Sequence, residues 1–129
     1  MPTPKPRTPV NPIQEGTEAY KKGDYKKAQK HFEKALSHNP TVEVYNNLGL
    51  CFLQLNKSAE AEKILKQGLA LNPRYIPFYD NLARLYVLQE RFGEAMKLLE
   101  DGKWQTNDPQ FDFKILTLKR MLFGQGFGD

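Results

Sequence analysis

Few residues in this sequence carry the chemistry of a reaction centre. There are two histidines, His31 and His38, seven positions apart, and one cysteine, Cys51. Neither histidine has a cysteine or carboxylate at a metal-ligand spacing, so both read as structural. A lone thiol cannot form an internal disulfide, and Cys51 lies beside an apolar stripe, where it reads as a small buried hydrophobe. No P-loop, dinucleotide loop or G-x-S-x-G elbow occurs. The glycines of Gly124-Gln125-Gly126-Phe127-Gly128-Asp129 follow no strand and open no helix, so they cradle no phosphate. The sequence points away from an enzyme, and it implies no metal, no cofactor and no small-molecule substrate.

What remains is contact chemistry: lysines, amides and leucines. Net charge is +4. Residues 1–40 carry eight Lys/Arg against four Asp/Glu, residues 41–75 four against three, and residues 76–129 seven against eight. The excess lies in the N-terminal stretch and in Lys21, Lys22, Lys26, Lys27, Lys30 and Lys34. A solvated helix face explains that run, with contact to nucleic acid or an acidic surface as the alternative. Trp104 reads as packing the joint before the last helix.

Such side chains act only where elements hold them. The chain has 129 residues, of which 40% are hydrophobic and 26% charged. That fits one globular domain. No stretch approaches the roughly 20 apolar residues of a membrane span. Residues 1–11, rich in proline and threonine, read as an extended tail or linker and not as a signal peptide. The reading is therefore a cytoplasmic protein, or a soluble domain of a larger one. Tyr45, Leu48, Phe52 and Leu55 fall at helical spacing, as do Tyr79, Leu82 and Tyr86. A second class of helix carries Tyr25, Ala28, Phe32 and Ala35; then Ala61, Leu65 and Leu69; then Phe92, Ala95 and Leu99. Gly23-Asp24 predicts a tight turn and a cap, and Lys57-Ser58 and Glu90-Arg91 are aligned with that joint. Asn11-Pro12 and Asp108-Pro109 predict helix starts.

These sets recur in one register. Gly16, Gly49 and Ala83 align, as do Ala28, Ala61 and Ala95, with steps of 33 (61 − 28) and 34 (95 − 61) residues. Pro40 and Pro73 are again 33 apart. The second unit reads Tyr45-x2-Leu48-Gly49-x2-Phe52, Ala61-x3-Leu65, Pro73; the third reads Tyr79-x2-Leu82-Ala83-x2-Tyr86, Ala95-x3-Leu99. The first unit has Pro12 and Glu15 in its front half, and a strong back half from Gly23 to Pro40. This pattern resembles the tetratricopeptide repeat.

The resemblance implies an all-α fold of antiparallel helix pairs coiled into a right-handed superhelix, with about seven helices. Repeats are expected at about 9–41, 42–75 and 76–108, inside a domain spanning 12–123, with a capping helix at 109–123 and a flexible tail at 124–129. Phe113, Leu116 and Arg120 are aligned with the core stripe of a fourth unit. The resemblance also implies a protein-interaction module: an adaptor, scaffold or chaperone-like domain holding a partner's peptide or helix in a concave groove. Groove positions fall on Tyr20 and Lys21; Asn46, Leu50, Leu53 and Gln54; Asp80, Arg84, Val87 and Leu88; and Lys114, Leu118 and Met121 of the cap. Asn47 and Asn81 add donors for a peptide backbone. Leu50, Leu53 and Val87 either line the groove or pack between neighbouring first helices. Asp80 and Arg84 are spaced to pair as i,i+4. Family members that hold acidic C-terminal tails of heat-shock proteins use two Lys, two Asn and one Arg. Those positions fall here on Ile13, Thr17, Asn47, Pro77 and Asn81, of which only Asn47 matches. Self-association through the array ends, as a homo-oligomer, is the alternative function.

Overall fold

The structure is a computed structural model and describes residues 11–124; the rest of the expected N-terminal tail and of the tail after Gly124 lies outside those residues. The described chain forms seven helices: α1 (Pro12–Lys21), α2 (Tyr25–His38), α3 (Val42–Gln54), α4 (Ser58–Leu71), α5 (Ile76–Leu88), α6 (Phe92–Thr106) and α7 (Gln110–Phe123). Side-chain caps start the early ones. Asn11 accepts from the Ile13 amide at 3.0 Å, Asp24 from Lys27 at 3.2 Å and Thr41 from Val44 at 3.4 Å. Each satisfies an amide that the first helical turn leaves orphaned.

The joint inside each pair is one structure repeated three times. The amides of Asp24, Lys57 and Arg91 donate to the carbonyls of Ala19, Phe52 and Tyr86, five residues back, at 2.8–2.9 Å. That closure requires a left-handed residue just before the donor. Gly23 takes it at φ 80°, Asn56 and Glu90 at 58°. The joint equivalent to Gly23-Asp24 is therefore Asn56-Lys57, one residue earlier than the expected Lys57-Ser58. The expectation missed it because asparagine, like glycine, tolerates this backbone region.

Consecutive helices pack antiparallel around a core that runs the length of the stack. Small residues set the spacing. Ala28, Ala61 and Ala95 are fully buried, and a Cβ on Gly49 would collide with Leu65. Gly68 and Gly102 receive the rings of Phe78 and Phe111 from the next unit. The first helices also approach one another, α1 against α3 and α3 against α5, while α2, α4 and α6 make no such backbone contact among themselves. Helices that converge on one side and diverge on the other curve the stack, which puts the first helices on the concave face.

The capping helix departs from its expected register. Phe111 and Leu118 are buried and Ile115 is half-buried, whereas Phe113 is 70% exposed and Leu116 39%. Phe111 follows Phe78 by 33 residues (111 − 78), and Leu118 follows Leu85 by 33 (118 − 85). The unit is one residue short, and one residue turns a helix by about 100°. Phe111 plugs Gly102 and meets Tyr79 edge-on at 5.3 Å. Trp104 does not pack the joint: it is 85% exposed. The inward face of α6 is taken by Leu99 and Gly102, and two residues beyond Gly102 the helix has turned outward.

Candidate functional site: the concave clefts

Two equivalent clefts open between successive first helices on the concave side. The first, about 330 Å³, lies between α1 and α3; Thr17, Tyr20, Lys21, Asn47 and Leu50 line it over the ring of Phe32. The second, about 350 Å³, lies between α5 and α7; Arg84, Val87, Phe113, Leu118 and Met121 line it over Ala83 and Leu99. The register explains the likeness, since Phe32 and Leu99 hold the same repeat position. Unlike α1 and α3, the backbones of α5 and α7 do not touch. The second cleft is therefore walled by side chains alone.

Between the clefts, α3 and α5 are tied by amides. Asn81 Nδ2 donates to Asn46 Oδ1 at 2.8 Å, and Arg84 Nη2 donates to Asn81 Oδ1 at 3.3 Å. Both asparagines are only 9% exposed. A buried amide must be paired, and here one bond links the two while Arg84 supplies the donor for the Asn81 carbonyl. Asn46 and Asn81, expected as donors to a peptide, are thus brought together across the helix contact. Asn47 is half-buried and faces the first cleft. Gln54 donates to the Tyr20 hydroxyl at 3.3 Å, and Tyr20 meets Tyr25 edge-on at 5.0 Å, so Tyr20 is braced from two sides. Leu53 and Val87 are half-buried and pack against the core, whereas Leu88 is exposed.

The expected Asp80–Arg84 pair does not form. Asp80 takes Lys114 Nζ at 2.6 Å, across the mouth of the second cleft. Arg84 turns instead to Asn81. An i,i+4 pair offers only a few tenths of a kcal/mol, which a neighbouring helix readily outbids. One apolar cleft therefore carries two cations at its rim, Arg84 and Lys114, with one carboxylate between them. Lys114 was named from the sequence, but its partner was not. Nothing in the local spacing points from Asp80 to a residue 34 positions on.

Elsewhere the side chains fit structural roles. Cys51 is fully buried, and burial pushes its thiol up to about 12, where it stays protonated and poorly nucleophilic. His31 Nδ1 lies 2.8 Å from a carboxylate oxygen of Glu15, which fixes α2 to α1. Among the described residues no group of three or more His, Cys, Asp or Glu could hold a metal ion, and no helix is long and apolar enough to cross a membrane. Lys21, Lys22, Lys26, Lys27, Lys30 and Lys34, on α1, α2 and the joint between them, are exposed. A wider cleft of about 460 Å³, not foreseen from the sequence, lies where α2 and α4 diverge, floored by Leu48 and Phe52 and rimmed by Glu33, Glu60 and Lys63. On the same side, Glu62 receives Arg91 at 2.6 Å and Lys66 at 2.7 Å, and the guanidinium lies 4.4 Å from the centre of the Tyr86 ring. The Arg91 hydrogen bond holds the Glu62 carboxyl down to about 2.

Comparison with known proteins places this arrangement. Two family models described as tetratricopeptide repeat match residues 13–76 and 52–112. Anaphase-promoting complex subunit 6 of Arabidopsis thaliana is 30% identical over 112 residues, covering 82% of this chain and 21% of that protein. The Hsp70-Hsp90 organizing protein of Triticum aestivum is 25% identical over 99 residues, covering 75% and 17%. The chain thus spans about a fifth or less of the length of the curated relatives it matches. Among solved structures, the first repeat domain of Spaghetti bound to an HSP90 peptide superposes with a TM-score of 0.73 at 21% identity, covering 86% of this chain and 92% of that one.

Proposed function

The chain belongs to the tetratricopeptide-repeat family, and from that premise we propose that it is a protein-interaction module that holds a short segment of a partner protein on its concave face. The principal seat is the cleft between α5 and α7. One observation carries the reading: an apolar cleft with Val87, Leu118 and Met121 on its walls and Arg84 and Lys114 at its rim. An apolar side chain of the partner enters the cleft and removes nonpolar surface from water, at about 25 cal/mol per Å². A carboxylate a few residues away engages the rim, where a guanidinium offers a forked donor. Asn47 and Leu50 in the first cleft, with Tyr20 and Lys21, extend the track for a longer segment.

The Spaghetti domain binds an acidic HSP90 peptide, SRMEEVD. The partner proposed here is also apolar and acidic, but its cations come from elsewhere. At the five positions of the heat-shock clamp this chain offers Ile13, Thr17, Asn47, Pro77 and Asn81, and Asn81 is already paired. The ligand is therefore read by the last pair and the cap.

Selection from a random peptide library displayed on phage tests the proposal. The enriched peptides are expected to carry a leucine-sized or aromatic residue within a few positions of Asp or Glu. Binding should weaken at least tenfold, about 1.4 kcal/mol, in Arg84→Glu and in Met121→Asp, with helicity unchanged. Peptides that bind both variants as tightly as the wild type would remove the site from this cleft. Loss of binding only in Leu50→Asp would move it to the cleft between α1 and α3.

A further inference from the structure

The outward side of α7 has no covering helix among the described residues, yet it is neither polar nor shaped like the faces that pack inside the stack. Leu116 and Arg120 lie one turn apart on it and Asp112 one turn before them, while Phe113 stands at its edge, where it also lines the α5–α7 cleft. In the register set by Phe111 and Leu118, Leu116 holds the position of Gly49 and Ala83 (83 + 33 = 116). At that position a glycine or alanine admits the close approach of the second helix of the same unit, as Gly49 admits Leu65. A leucine there opposes a further helix docked on α7 in the same way. The face is built for a partner at wider spacing.

We infer that this partner is a second copy of the chain, packed α7 against α7 in antiparallel fashion about a twofold axis near Leu116. The charges are self-complementary under that operation. Residue 112 of one copy comes opposite residue 120 of the other, because both lie four positions from 116. Arg120 of each copy then meets Asp112 and Phe113 of the other, a carboxylate and an aromatic face that both suit a guanidinium. Leu116 meets its own copy on the axis, and an isologous contact of this kind closes after two chains. Asp112 already takes Lys103 at 2.5 Å, but both side chains are more than half exposed and leave room for a second cation. The helix dipoles run antiparallel, which places each basic C-terminal turn beside an acidic N-terminal one.

Sedimentation equilibrium of the full chain tests this, from low to several hundred micromolar. The wild type is expected to shift from one chain mass, 14.9 kDa, towards two as concentration rises. Leu116→Glu, which leaves the α5–α7 cleft untouched, should stay at one mass over the whole range. Asp112→Arg and Arg120→Asp should each weaken association, and the two together should restore it. Leu116→Cys should form an intermolecular disulfide on mild oxidation, whereas Leu71→Cys, exposed at the far side of α4, should not. A wild type that keeps one mass throughout, a Leu116→Glu variant that still dimerises, or a double charge swap that fails to restore association would each overturn the inference.

Discussion

At the scale of single residues, the joints and one ion-pair cluster make testable statements. Glu90 holds a left-handed conformation that Gly23 holds at no steric cost. Glu90→Gly is therefore expected to stabilise by about 0.5–1 kcal/mol and Gly23→Ala to destabilise by about 1 kcal/mol. Urea melts of the two variants against the wild type measure both. Glu62 makes a pH-dependent contribution. Its folded pKa of about 2 lies below the 4.5 of a free glutamate, because Arg91 and Lys66 favour the charged form. The stabilisation is complete above pH 4.5 and is lost as pH falls towards 2. Thermal melts of Glu62→Gln should thus show a lower midpoint than the wild type at pH 7. That gap should narrow below pH 4.5 and close near pH 2. A gap independent of pH would mean that the carboxylate charge is not what Arg91 stabilises.

At the scale of elements, the alanines of the second helices and the lysines around them separate packing from solvation. Ala61 and Ala95 are fully buried where helices approach most closely, whereas Lys26 and Lys30 are exposed on α2. Ala61→Leu and Ala95→Leu should each cost about 1–3 kcal/mol by overpacking. Lys26→Ala and Lys30→Ala should stay within about 0.5 kcal/mol. Equal losses from the two sets in denaturant melts would contradict the packing. For α7, the burial of Phe111 against Gly102 and Tyr79 makes it the plug of the last pair. Phe111→Ala is expected to cost about 3–5 kcal/mol, while Phe113→Ala, on the exposed side, should cost much less. The reverse order would restore the register expected from the sequence.

At the scale of the whole molecule, a stack of helix pairs is stabilised by contacts between neighbours, so its ends matter more than in a globular core. Removing residues 109–129 strips Phe111 from Gly102 and Tyr79 and uncovers Leu99. The truncated chain should aggregate, or melt at clearly lower denaturant, when examined by light scattering and circular dichroism. A monomeric truncation with an unchanged midpoint would show that α7 is dispensable. The truncation also removes Lys114, Leu118 and Met121, so it should abolish the peptide binding proposed above even where the remainder stays folded.

The helix pairs, their order and their register through α6 could be read from the sequence, because periodicity and small residues act locally. Ala28, Ala61 and Ala95, and the aromatic positions around Phe52 and Tyr86, state which faces must be buried whatever the global curvature. Three features were decided only by tertiary structure. Asn46 and Asn81 look like groove donors along the chain, yet Asn81 donates to Asn46 once α3 and α5 lie side by side. Asp80 has Arg84 within one turn, but the approach of α7 offers Lys114 in better geometry. The cap shifted by one residue because Phe111, not Asp112 at 34 positions after Phe78, fills the space over Gly102, and that space exists only when α6 is in place. In each case the deciding partner lies on another helix, at a distance that spacing within one segment cannot express.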